Sequence, residues 1–239
     1  MVSGFLLRGL LSGIFAGLLA ASFASFAGEP SIERAIVFES ATAQAAGDLH
    51  EPEVVSRTVQ RGAGLFTASI VYGAAIGGLF SLVFALAYGR LGDFSPRTLA
   101  ALLALLGFIA LVLVPELKYP ANPPAIGAAD TIGQRTALYF ALLAISLLAT
   151  ILSATLVPPL AARIGIWNGV LVSAIVFIFV AGLASFVLPA VDEVPSGFPA
   201  SLLWYFRLAS IGTRAILWGV LGLAFGAMAQ SWMKRGHRA

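Results

Sequence analysis

Six long apolar runs, at residues 5–27, 65–88, 98–114, 137–157, 167–188 and 211–232, decide what this chain can fold into. Crossing about 30 Å of hydrocarbon takes ~20 apolar residues in a helix. The runs are continuous rather than alternating, so helices are expected and a barrel is not. Only 10% of the 239 residues are charged, whereas a soluble domain carries about 25%. A water-facing globule is excluded. The expected fold is an all-α integral membrane protein, a single membrane domain over 1–239 with about six transmembrane helices.

The first run admits two readings. Ser25, Phe26 and Ala27 before Gly28 resemble a signal-peptide cleavage site. The run outlasts a usual signal core, however, and Gly9, Gly13 and Gly17 make a small-residue stripe suited to a retained, packed helix. Retention is the expectation. Gly73, Gly77, Gly222 and Gly226 are expected to be helix contacts too. The chain has no cysteine, which excludes disulfides, thiolate metal sites and thiol nucleophiles; its two histidines exclude a multi-histidine cage. The net charge of +3 fits a positive-inside excess better than nucleic-acid binding.

With the N-terminus inside, the cations divide evenly between the two faces. Those inside are concentrated in the short loops 89–97 and 158–166 and in the tail from Lys234, and short loops carry the topological signal. Asp93 is the one acid on that side. The expected topology puts both termini in the cytoplasm and makes 28–60 an acidic external loop.

Two segments repeat. Pro120 and Pro124-Ala125 match Pro195 and Pro199-Ala200 at the same spacing, and Ile132-Gly133-Gln134-Arg135 downstream matches Ile211-Gly212-Thr213-Arg214. A weaker copy has Gly28-Glu29-Pro30 and Val59-Gln60-Arg61. The pattern predicts three two-helix hairpin units, at about 5–88, 98–157 and 167–232, a kind of internal repeat common in transporters. Proline and arginine marking helix ends is the plainer account of any single match.

Ionisable residues near membrane depth are costly and often functional. Arg61, Arg135 and Arg214 stand at the outer ends of the even spans, and Glu29, Glu116, Asp192 and Glu193 at those of the odd spans. They are candidate ion pairs closing an outer gate, opened when a cation competes for the carboxylates. The plainer alternative is snorkelling and interfacial pairing that fixes helix ends. Asp48, His50, Glu51 and Glu53, with Glu29, form a candidate metal-capture set. Imidazole with carboxylate suits Co, Ni or Zn better than Cu(I); the alternative is a solvated acidic loop. Segment 115–124 is too rich in proline for a continuous helix. Its Lys118, Tyr119, Pro120, Asn122, Pro123 and Pro124 make a candidate vestibule, either re-entrant or an ordinary external loop.

No Walker A sequence, Ser–His–Asp order or HExxH occurs, and no acid sits mid-span, where the polar residues are limited to Ser, Thr and small groups such as Ser81, Ser146 and Ser173. An enzyme is not expected, nor a permanently bound cofactor.

Several of these strings carry a resemblance. Gly28-Glu29-Pro30 with Ile32-Glu33-Arg34-Ala35-Ile36, the stretch Glu53 to Gly62 with Arg57 and Arg61, Lys-Tyr-Pro-Ala-Asn-Pro-Pro at 118–124, and Glu193 to Pro199 resemble the CbtA family of predicted cobalt transporter subunits. The resemblance covers essentially the whole chain. It implies a protein of the cytoplasmic (inner) membrane serving cobalamin-related uptake of Co(2+). It also implies a partner of CbtB type, a small single-span protein whose histidines supply the imidazoles missing here. The expected function is therefore the membrane subunit of a divalent-metal uptake transporter, in the bilayer with that partner and compatible with an oligomer. The alternative is a non-transporting membrane scaffold or assembly factor for a partner channel.

Overall fold

The computed structural model describes residues 2–47 and 54–236, and among them all regular structure is helical. Helix α1 (Val2–Phe23) runs through a π-helical turn, π1 (Ala24–Gly28), into α2 (Glu29–Ala46). α3 (Arg57–Val59) runs through π2 (Gln60–Gly64) into α4 (Leu65–Ala87). α5 (Pro96–Phe108) runs through π3 (Ile109–Leu113) into α6 (Val114–Lys118). α7 (Ile132–Ile164), α8 (Ile166–Val187) and α9 (Ala200–Gly236) follow. Six helices are long and apolar enough to cross a membrane, as the six runs require.

Two boundaries differ from the sequence expectation. Much of the expected loop 28–60 is helix, because α2 continues α1 out to Ala46. Pro30 stands directly after the π-turn, in the first turn of α2. The helix stops at Gly47, whose φ of 77° suits glycine and whose N–H bonds the Ala43 and Gln44 carbonyls. α9 likewise starts at Ala200 rather than near 211, since Arg207 and Arg214 interrupt the apolar run without interrupting the helix.

The chain divides into two compact units: Met1–Leu105 with Ala121–Ile126 and Pro195–Ala239, and Leu106–Pro120 with Gly127–Val194. In the first, α1 and α4 are antiparallel and meet backbone to backbone. Gly9 faces Gly77, Gly13 faces Gly73 and Gly17 faces Ser69, each so close that a β-carbon on the glycine would overlap the opposing carbonyl oxygen. Such contact replaces the hydrophobic drive that lipid removes. α9 lies antiparallel along α1, with Trp232 over Gly4 and Gly212 against Phe23. Phe84 is fully buried between Phe5 and Phe225, with ring centroids 5.3 and 4.9 Å away. α5 docks on α9 where Gly222 and Gly226 meet Ala104 and Ala100. The glycines singled out as helix contacts are therefore contacts.

In the second unit α7 and α8 form an antiparallel pair, closest where Gly169 meets the backbone of Ala161. α7 also touches π3 and α6, so it is shared between the helices before and after it. Ser146, Ser153 and Ser173 are buried along this pair.

Candidate functional site

Glutamates one helical turn apart share a helix face. Glu29 and Glu33 open α2 in this way, and Arg57 and Arg61 are spaced identically on the opposing strand of chain through α3 and π2. Arg57 pairs with Glu29, and Arg61 Nη1 lies 2.8 Å from Glu33 Oε1. The inner pair is the more buried: the Glu29 side chain is 11% exposed and that of Arg57 24%, against about half for Glu33 and Arg61. The glycine contacts step by four along α1 and back by four along α4, and the Glu29–Arg57 pair falls on the same register. Because the two chains run antiparallel, Glu33 lies one turn beyond Glu29 and Arg61 one turn back from Arg57, so the two ion pairs cross at this end of the hairpin.

Beside it, a small apolar cluster of Ala35, Ile126, Phe198 and Leu202, flanked by Phe38, fixes α2 against the start of α9. Arg207 on α9 donates to the Ala121 carbonyl at 3.4 Å and to Asn122 Oδ1 at 3.0 Å, which ties these two residues to α9.

The second unit carries another carboxylate–arginine centre. Glu193 Oε2 accepts the Ala128 N–H at 3.0 Å and lies 3.3 Å from Arg135 Nε, while Arg135 Nη2 donates to the Ala128 carbonyl at 2.9 Å. Gly127 makes this possible twice over. Its φ of 111° disfavours a side chain, and a β-carbon there would occupy the space of the Arg135 guanidinium. The Glu193 carboxyl is held below the usual carboxylate range, first by the Thr131 hydroxyl, then by the Ala128 N–H, with Arg135 adding a smaller share. Tyr119 donates its hydroxyl to the Pro189 carbonyl at 2.8 Å, and burial raises its pKa.

The Glu193 network stabilises the fold only while the carboxyl is ionised. A lowered folded pKa means a contribution present above the unfolded value, about 4.3, and lost as pH falls through the folded one. The thermal midpoint of the purified protein is expected to fall on acidification in that window. Glu193→Gln should lower it at neutral pH and flatten the acid slope; an unchanged slope would remove this carboxylate from the account.

The nominated residues are placed as follows. Glu29, Arg61, Arg135 and Glu193 are each in ion pairs, but Glu29 is taken by Arg57 and Arg61 by Glu33. Glu116 is buried at 5% exposure in α6. Asp192 is exposed beside Glu193, and Arg214 lies within α9 near Tyr72. Lys118 ends α6 with its ammonium 5.9 Å from the Tyr119 ring, and Pro120, Asn122, Pro123 and Pro124 follow in non-helical chain. Asp48, His50, Glu51 and Glu53 lie outside the described residues. Among the described residues no group of three or more His, Asp or Glu is gathered as for a metal ion. Arg57, Glu33, Arg207 and Gly127 were not nominated. The matching four-residue spacing of the two glutamates and two arginines was the available signal for the first two.

No curated protein and no solved structure matches this chain. A family model described as "Probable cobalt transporter subunit (CbtA)" matches residues 2–230, all but the ends of the sequence. With six apolar helices of spanning length, a multi-pass membrane protein of a transport system is what this match describes. The chain belongs to the CbtA family of probable cobalt transporter subunits.

Proposed function

We propose that this chain is the membrane subunit through which Co(2+) enters an uptake system of the cytoplasmic membrane, with both termini in the cytoplasm and the carboxylate-rich end outside. The observation that carries it is the paired Glu29 and Glu33 at the mouth of the α1–α4 hairpin, each held by an arginine that a cation must displace. A divalent ion offered two carboxylates one turn apart replaces two monovalent guanidinium groups at little electrostatic cost. Oxygen ligands alone favour hard ions, and an imidazole shifts preference toward cobalt. His50 and the acids Asp48, Glu51 and Glu53 are the capture set in this chain. A small single-span partner bearing histidines supplies the rest. The segment with Lys118, Tyr119, Pro120, Asn122, Pro123 and Pro124 is the candidate vestibule. Glu116, Asp192, Glu193, Arg135 and Arg214 are the remaining gate candidates.

A second reading is a non-transporting scaffold for a partner channel. One observation favours it: the carboxylates of Glu29, Glu33 and Glu193 are already satisfied by arginines, as a structural clamp requires. Radiolabelled cobalt uptake separates the two. Cells with the partner should gain uptake on adding this chain, and His50→Ala should reduce it severalfold at low cobalt. If the partner alone, brought to the same membrane level, carries cobalt equally well, the scaffold stands and the transport role falls.

A further inference from the structure

We propose that π1 is a two-state register device, and that its conversion to regular α-helix swings Glu29 and Glu33 away from Arg57 and Arg61. This rests on the outer-gate reading above and adds the motion. Glu29 lies twelve residues beyond Gly17, and at 3.6 residues per turn a regular helix would set it about 120° round from the glycine stripe. A π-turn absorbs one extra residue, about 100° of rotation, and returns Glu29 to within about 20° of the stripe. The Glu29 N–H bonds the carbonyl of Ala24, five residues back, which is the π hydrogen bond itself. Across the hairpin the register is set differently. Arg57 lies twelve residues before Ser69, the residue opposite Gly17, and the chain between them kinks at Gly62, whose φ of −105° and ψ of −105° leave the helical region. Glu29 and Arg57 thus face each other because α1 carries a π-turn, and the opposing chain a kink, between the pair and the glycine contacts.

Proline biases this state. In a regular helix the Pro30 ring would meet the carbonyl of Phe26, four residues back; in this chain π1 immediately precedes the proline. π3 is followed by Pro115 at the same two-residue offset, so the pairing of a π-turn with a downstream proline occurs twice in the chain. Relaxing π1 to α-helix turns all of α2 by about 100°, which also withdraws Ala35 from Phe198 and Leu202. A cation that takes Glu29 and Glu33 from their arginines removes one of the two restraints on the π register, leaving Pro30 as the other, so loading and rotation are coupled.

The two directions can be forced separately. Pro30→Ala favours the regular helix. Deleting Phe26, 86% exposed, removes the extra residue, so a regular helix then keeps Glu29 facing Arg57. The chain lacks cysteine, and Ser31 is buried at 7% exposure, so Ser31→Cys reports rotation of α2 through its rate of labelling by a membrane-permeant maleimide. In native membranes, labelling of S31C is expected to rise about tenfold with Pro30→Ala, well inside the bias a proline ring imposes. It is expected to stay at or below the parent rate with Phe26 deleted. Any other pattern, including both variants labelling alike, overturns the proposal. If the Phe26 deletion does not insert, deletion of Ala27 removes the same turn and carries the same expectation. Cobalt uptake is the separate arm. If labelling behaves as expected while the Phe26 deletion transports normally, the register device stands and the outer gate does not.

Discussion

Gly13→Leu is expected to leave little folded protein in the membrane. The residue sits at the closest approach of α1 and α4, where a β-carbon would overlap the Gly73 carbonyl oxygen and press within 3.1 Å of the Gly77 α-carbon. Overpacking typically costs 1–3 kcal/mol when neighbouring side chains can shift. Here the neighbours are backbone on both sides, so relief requires parting the two helices. That parting would also lift Phe5 from Phe84 and Phe225 and break the register on which Glu29 meets Arg57. A fold with total stability of only 5–15 kcal/mol does not survive such a loss intact. Gly182→Ala is the matched control, because a β-carbon at that position on α8 meets nothing within 4 Å. Size-exclusion profiles of fluorescently tagged protein from membranes measure both. A sharp peak for Gly13→Leu at the parent's height would mean that the glycine contacts do not hold this hairpin.

The spans were legible because length and apolarity are properties of a single run, and the bilayer imposes both. The glycine stripe was legible for a similar reason: four-residue spacing puts Gly9, Gly13 and Gly17 on one face whatever they meet. What they meet, Gly77, Gly73 and Ser69, is a long-range fact, and spacing alone could nominate the two glycines as contacts without assigning the register. The ion pairs show the same boundary. Arginine and acid at the outer helix ends were visible, but the partners were not, since choosing Arg57 rather than Arg61 for Glu29 depends on how far each helix has turned by that level. That angle is set by π1 and by the kink at Gly62, which no hydropathy pattern announces. Arg135 drawing Glu193, rather than an acid nearer in sequence, depends equally on a backbone turn at Gly127 that brings Ala128 to the carboxylate. Glu29-Pro30 read as the end of a helix because proline usually ends one. Here the π-turn carries the helix past it.

Competition between a metal ion and Arg57 for Glu29 has a kinetic signature that a purely structural pair lacks. Glu29→Gln removes the ligand and is expected to raise the cobalt concentration for half-maximal uptake by tenfold or more. Arg57→Gln removes the competitor and leaves the carboxylate, so half-saturation should move to lower cobalt. A partly exposed pair of this kind is worth on the order of 1 kcal/mol, which corresponds to a shift of about fivefold. Both variants lose the same ion pair and so share any cost in stability. Each variant leaves the other charge of this partly exposed pair without its partner. The uptake curves therefore move in opposite directions while protein levels move together. Uptake normalised to the amount of this protein in the membrane, measured over a range of cobalt concentrations, reads this directly. If both substitutions depress uptake in proportion to lost protein, with half-saturation unmoved, Glu29 and Arg57 clamp the helix ends and the ion takes another route.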